Sequence, residues 1–225
     1  MTDAPFRPFD SHLDEAAALR LLRQATTGAE DGELFLERRR GESLVLDDGR
    51  IRTASYDASE GFGLRAVKGE VAGYAHSTEI SESALKRATD TARLAVGDGG
   101  GTLADAPART NRHLYTDADP LADASFAAKI DILREIDAHA RAADPRVVQV
   151  TASLSASLQE VEILRPEGLR FTDIRPMARL NVSVILEQDG RRETGGTGGG
   201  GRAGAAGATG PPPSKARGGE AAPPP

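Results

Sequence analysis

Four histidines, His12, His76, His113 and His139, are the first side chains to test for metal or acid–base chemistry. No two of them lie three to five positions apart, and the H-E-x-x-H pattern that sets zinc ligands on one helix face is missing. His12 and Glu15 have the spacing to share a helix face, but one such pair is far more often a solvated surface. Ser83–Ala84–Leu85–Lys86 matches the S-x-x-K spacing of some acyl-transfer enzymes, which need a desolvated lysine and an oxyanion hole beside the serine. Here the tetrapeptide opens an Ala-rich amphipathic helix, where serine caps and lysine is solvated.

Gly61–Phe62–Gly63 followed by Ala66 has the outline of a dinucleotide fingerprint. It leads into the strand-like Leu64–Val67, not into a helix whose N-terminus faces phosphate, so the glycines are read as relieving crowding in a twisted sheet. Asn181–Val182–Ser183 is a formal glycosylation triplet inside the clearest strand, and a chance match. Arg38–Arg39–Arg40 and Arg191–Arg192 are short basic clusters, read as solvated charge beside turns or as contacts to a peptide carboxylate or partner subunit. Gly198–Gly201 is either a backbone surface approached by a ligand or part of a linker.

The elements that must hold these residues alternate in period. Asp10 is a candidate N-cap for a helix carrying Leu13, Ala17, Leu21 and Leu22 up to Gly28. Short strands follow: Leu34 and Leu36, an Arg38–Gly41 turn, then Ser43–Leu46 and Ile51–Ala54 around Asp47–Asp48–Gly49–Arg50, a strong hairpin signal. Gly63–Val67 and Val71–Ala75 predict a second hairpin. A helix from about Ser81, with Ala84, Leu85, Ala88, Ala92 and Ala95 on one stripe, ends before a flexible glycine-rich connection from Gly97 to Gly101. Asp119–Pro120 predicts the cap of another helix with Phe126, Ile130, Leu133, Asp137 and Ala140 along its core face. Period two then returns at Val148–Leu154, Val161–Ile163 and Leu180–Leu186.

The expected fold class is therefore α+β: antiparallel strand meanders with two to three packing helices, followed by a disordered Gly/Ala/Pro tail. The two strand-rich halves hint at an internal similarity without a convincing repeat of residues. Leu186 is the last Val, Ile, Leu, Met, Phe or Tyr of the 225 residues. Without large apolar side chains, a segment cannot offset the roughly 1–2 kcal/mol per residue that ordering its backbone costs. Residues 1–194 are accordingly expected to form the α+β domain and 195–225 a low-complexity tail.

Net charge is −6 with no long basic stretch, which disfavours nucleic acid as a partner. Zero cysteines exclude disulfides, thiol nucleophiles and thiolate zinc sites, and suit a reducing compartment. With no apolar leader in Met1–Phe9 and no run of about 20 apolar residues, a soluble cytoplasmic protein without membrane contact is expected.

Three stretches together carry a resemblance: Glu37–Arg50, Gly61–Ala66, and Val182–Gly190 followed by Arg191–Arg192–Glu193–Thr194–Gly195. In this order and at these distances they resemble the N-terminal domain of the TldD/PmbA family of zinc metallopeptidases, also called "modulator of DNA gyrase". The resemblance spans roughly residues 10 to 202. It implies an N-terminal α+β domain preceding a C-terminal domain whose His-Glu-x-x-x-His helix binds zinc, with the glutamate assisting a metal-bound water. It also implies proteolysis of unfolded peptides and a heterodimer with a related, metal-free subunit. No catalytic or metal residue is assigned in this chain, no zinc is expected to bind it, and its substrate-binding residues stay unassigned. From Ala203 the family pattern is lost. Gly, Ala, Pro and Arg have GC-only codons, so a frameshift replacing the catalytic domain is expected; a natural low-complexity linker is the alternative.

Overall fold

A computed structural model describes residues 5–97 and 116–202. The Asp98–Gly101 part of the expected connection, His113 and the tail from Ala203 lie outside these residues. The described elements are α1 (Pro8–Ser11), α2 (Glu15–Ala25), β1 (Asp31–Asp47), β2 (Arg50–Lys68), β3 (Val71–Ser77), α3 (Glu82–Val96), α4 (Phe126–Ala143), β4 (Val147–Leu164), β5 (Arg170–Gln188) and β6 (Arg191–Gly201). All six strands form one antiparallel sheet in the order β3-β2-β1-β4-β5-β6. The expected α+β class is found, and the two meanders are halves of a single sheet joined where β1 pairs with β4.

The tight turns follow residue chemistry. Asp48 and Gly49 sit at φ 50° and 75°, the left-handed pair a two-residue hairpin requires. The same solution recurs at Asp189 and Gly190, between β5 and β6. Ser81 caps α3 by accepting from the Ala84 N–H, as its position predicts.

Several expectations give way to packing. Asp14, not Asp10, caps α2, accepting from the Ala17 N–H at 2.7 Å. Ser125 caps α4, whereas Asp119 receives the Leu121 N–H and pairs with Arg40 at 2.9 Å. On α4 the fully buried positions are Lys129 and Leu133, and the expected core residue Phe126 is half exposed. Lys129 pairs inside with Glu42 at 3.0 Å, which ties α4 to β1, and donates to the Leu121 carbonyl at 2.9 Å. On α3 the buried stripe ends at Val96, and Ala95 points outward. The expected turn at Arg38–Gly41 is instead the middle of one continuous strand. Arg38 and Arg40 lie on the helix-bearing side, where paired carboxylates remove the need for solvent. Arg38 donates from Nε and Nη2 to both oxygens of Glu160, its register partner across the seam (2.9 and 3.0 Å). The Phe6 N–H donates to the same carboxylate at 3.0 Å. Ordered strand also continues seven residues past Thr194, because β6 pairs through Gly201 with β5 and draws its stability from that ladder.

Even-numbered residues of β1 face the helices. Leu34, Leu36, Leu64 and Phe62 pack with α2 and α3 in the larger core. Leu44, Leu46, Ala152 and Leu154 pack with Leu133 of α4 in the smaller one. Gly73 of β3 sits beneath α3, where an added Cβ would lie 2.4 Å from the Ala92 carbonyl oxygen.

Two stability predictions follow from this layout. Removing one partner of a shielded ion pair costs roughly 3–5 kcal/mol, so Glu160→Ala is expected to lose that much in urea titrations and Glu160→Gln less. A loss below about 1 kcal/mol, the range of exposed pairs, would show that the pair is not shielded. Gly73→Val must push α3 off the sheet and is expected to lose about 1–3 kcal/mol or more; an unchanged midpoint would contradict the close approach.

Candidate functional site

Two surfaces of the sheet carry groups that are not consumed by the fold: its helix-free face and its free strand edges. Strand alternation puts the odd-numbered residues of β1, β4 and β5 and their register partners on the helix-free face. This face is polar and small along its centre, with Ser43, Ser55, Ser153, Ser155 and Ser157 around the exposed Arg39. Its charges are organised in clusters. Asp47 accepts from Gln149 and Thr151, both at 2.9 Å, and from Arg52 at 2.6 Å. Gln159 donates to Glu37, and Arg175 pairs with Asp173 at 2.6 Å. At the start of β1, Asp31 pairs with Arg165 (2.6 Å) and Arg65 (2.8 Å).

The free edges arise from unequal strand lengths. β1 pairs with β2 over the whole length of both strands, but β3 covers β2 only over Phe62–Lys68. Among the described residues, 51–61 therefore present an unpaired edge, and residues 50–60 are exposed throughout. β6 covers β5 over Ala178–Gln188 and stops short of residues 170–177. This second edge borders a cleft of about 370 Å³ with Phe6, Arg7 and Asp10 on its far wall. Arg170 lines it, held by Glu162 (2.9 Å) and Glu15 (3.0 Å), with its guanidinium 4.9 Å from the Phe9 ring centre. The Glu162 carboxylate raises the Arg170 pKa further, so this cation is fixed.

The sequence candidates fall apart as sites. His12 follows the end of α1 and Glu15 opens α2, where its carboxylate is taken by Arg170. His76 is exposed on β3, stacked on Tyr74, and His139 is exposed on α4. Among the described residues no group of three or more His, Cys, Asp or Glu could hold a metal ion. Ser83 bonds within the Glu79–Ser81 cap and Lys86 is exposed, which leaves no desolvated base. Gly61 and Gly63 are strand residues. A Cβ on Gly61 would meet the Ser77 carbonyl oxygen at 2.5 Å, and one on Gly63 the Tyr74 hydroxyl at 2.6 Å. Asn181 lies within β5 and accepts from Arg179 at 3.0 Å. Arg191 and Arg192 pair with Glu193 and Glu187 beside the last hairpin. Gly198–Gly201 is strand backbone. The sequence reading had no handle on the free edges, which depend on where a neighbouring strand stops. No helix among the described residues is long and apolar enough to cross a membrane.

This seam-joined double meander has counterparts among known proteins. Residues 32–96 match PmbA/TldA metallopeptidase domain 1, and residues 119–214 match the PmbA/TldA metallopeptidase central domain. The chain is 32% identical over 183 residues to a metalloprotease TldD homolog of Buchnera aphidicola, covering 81% of this chain and 38% of that protein. It is 35% identical over 166 residues to the Haemophilus influenzae homolog, covering 72% and 34%. In fold it is similar to a putative modulator of DNA gyrase from Thermotoga maritima (TM-score 0.67, 16% identity, 85% of this chain and 44% of that one). It is also similar to TldE from Thermococcus kodakarensis (TM-score 0.64, 18% identity, 83% and 43%). The chain belongs to the TldD/PmbA family. It spans little more than a third of the length of the curated relatives it matches. The relatives' names imply a metal in the family, and the described residues here do not fit one.

Acid titration tests the electrostatics of the helix-free face. Burial pushes the Asp31 pKa up, but the Arg165 hydrogen bond and the charges of Arg165 and Arg65 outweigh it and hold the carboxyl below its ordinary value. A depressed folded-state pKa contributes stability above the unfolded value near ~3.9, and that stability is lost as pH falls through the folded value. Asp31→Asn is expected to flatten the fall in melting temperature below about pH 4. An unchanged acid limb would show that the arginines do not hold this carboxylate.

Proposed function

We propose that this chain supplies the first and central domains of a TldD-type zinc metallopeptidase acting on unfolded peptides, and that it is inactive alone. Family membership carries the proposal, and the edge of β2 that β3 does not cover supports its substrate class. An edge strand offers alternating N–H and C=O groups that pair with any extended chain whatever its side chains, which suits an unfolded substrate. In this reading the domains wall the substrate chamber. Zinc and its bound water belong to a His-Glu-x-x-x-His helix outside this chain, and the seam holds the edges at fixed separation. A related, metal-free subunit of the family is the proposed partner, with TldE among the fold neighbours as support. Nucleic acid and membrane have no part in it, and the cysteine-free composition suits the cytoplasm. The free edges also support a second reading, a peptide- or partner-binding module without catalysis.

The readings separate in one set of assays on the purified chain. With zinc added and an unfolded peptide in excess, no cleavage is expected, and amide exchange is expected to slow within 51–61 or 170–177. Binding without cleavage that persists when the metal-free partner subunit and a separately made metal-bearing domain of a family relative are supplied would favour the module. Metal-dependent cleavage by this chain alone would refute its proposed inactivity, and unchanged exchange at both edges would refute edge pairing.

A further inference from the structure

The strand order reads the same from either end, and each half is a helix followed by a three-stranded meander: α2-β1-β2-β3 and α4-β4-β5-β6. A twofold axis through the Arg40–Leu158 register pair exchanges the halves. It carries Leu34 and Leu36 onto Ala152 and Leu154, and Leu164 onto Leu46. The larger core is thereby laid over the smaller one. Following the register outward, Leu64 falls on Val182, Ala66 on Val184, and Gly73 on Gly195.

Besides the single-turn α1, the first half carries one element with no counterpart among the described residues: α3. In the first half it seals Leu64 and Ala66 completely, and it approaches so closely that Gly73 tolerates no Cβ. In the second half Val182 and Val184 are only partly buried, and a Cβ on Gly195 would meet nothing nearer than the Val184 methyl at 3.8 Å. Glycine weakens a strand and marks places where another backbone comes close. At Gly195 the fold already on the page supplies no such backbone.

We infer that the strip formed by Val182, Val184 and Gly195 docks an amphipathic helix with small residues along its apolar stripe, as α3 carries Ala84, Ala88 and Ala92. The occupant is a helix and not an added strand, because the strip is a sheet face and its twofold mate is filled by a helix. As α3 follows β3 directly, its twofold mate follows β6, and the occupant is the segment at that place in the longer curated relatives; residues 187–225 here have no Val, Ile, Leu, Met, Phe or Tyr to form such a stripe. The curated relatives, in contrast, extend to more than twice the length matched. The inference does not depend on peptides pairing with the free edges.

The probe is a synthetic peptide bearing the residues that directly follow the matched stretch in the Haemophilus influenzae relative, titrated into the isotope-labelled chain. Shift changes are expected on 180–186 and 193–201. Gly195→Ala and Gly195→Val are expected to keep the melting temperature of the free chain, since among the described residues only the Val184 methyl comes near a Cβ there, and to weaken the peptide stepwise, by ~10-fold or more for valine. Thr194→Val, on the opposite face, is expected to bind like the parent. The inference is overturned if the peptide does not bind or if binding ignores both Gly195 substitutions. It is equally overturned if both substitutions lower the melting temperature, which would show the chain's own residues on the strip.

Discussion

The pairing of β1 with β4 is the constraint on which the remaining structure depends. Each meander alone would be a three-stranded ribbon with half a core, and the seam turns two ribbons into one sheet with helices on one side. At its centre lies the Arg38–Glu160 pair, with Arg40 and Asp119 beside it. Charged groups shielded from water are costly unless matched, so this arrangement tolerates only the register that aligns both partners. A slip by one residue would turn the arginines to the other face and the leucines with them. The ion pairs thus select the register that the two flanking apolar cores stabilise.

Much of this was legible in the chain because it is written locally. Asp48–Gly49 announced its hairpin, Ser81 its helix start, and the Ala84–Ala92 stripe the face that packs. What escaped was decided by partners far away in sequence. Arg38–Arg40 reads as a turn until Glu160 and Asp119 are set opposite, and nothing local marks Lys129 as the residue that Glu42 draws inside. The last hairpin went unnoticed because Asp189–Gly190 is followed by glycines with no apolar alternation. A strand of glycines is stable only as a guest of its neighbour, and here β5 is that neighbour. The family was legible from three ordered stretches, all of which fall in the sheet that defines the fold. The candidate surfaces were not, since a free edge is a property of neighbours.

The division of labour between the faces bears on function. One face is sealed by α2, α3 and α4 and fixes the shape. The other keeps small hydroxyls and paired charges, and the edges keep unpaired backbone. Among the described residues, a domain built this way offers shape and hydrogen-bonding surface.

The seam also shapes how the chain reaches its fold. Arg38 and Glu160 are separated by 122 positions, whereas each hairpin closes over a few residues. Closing so long a loop costs about 4 kcal/mol of chain entropy before any contact is gained. The meanders are local and quick to form, and the step that joins them is slow by topology. Until it occurs, two unpaired inner strands of matching register are on offer. Folding of this protein is therefore a race between one chain closing on itself and two chains exchanging halves, and its outcome is set by concentration.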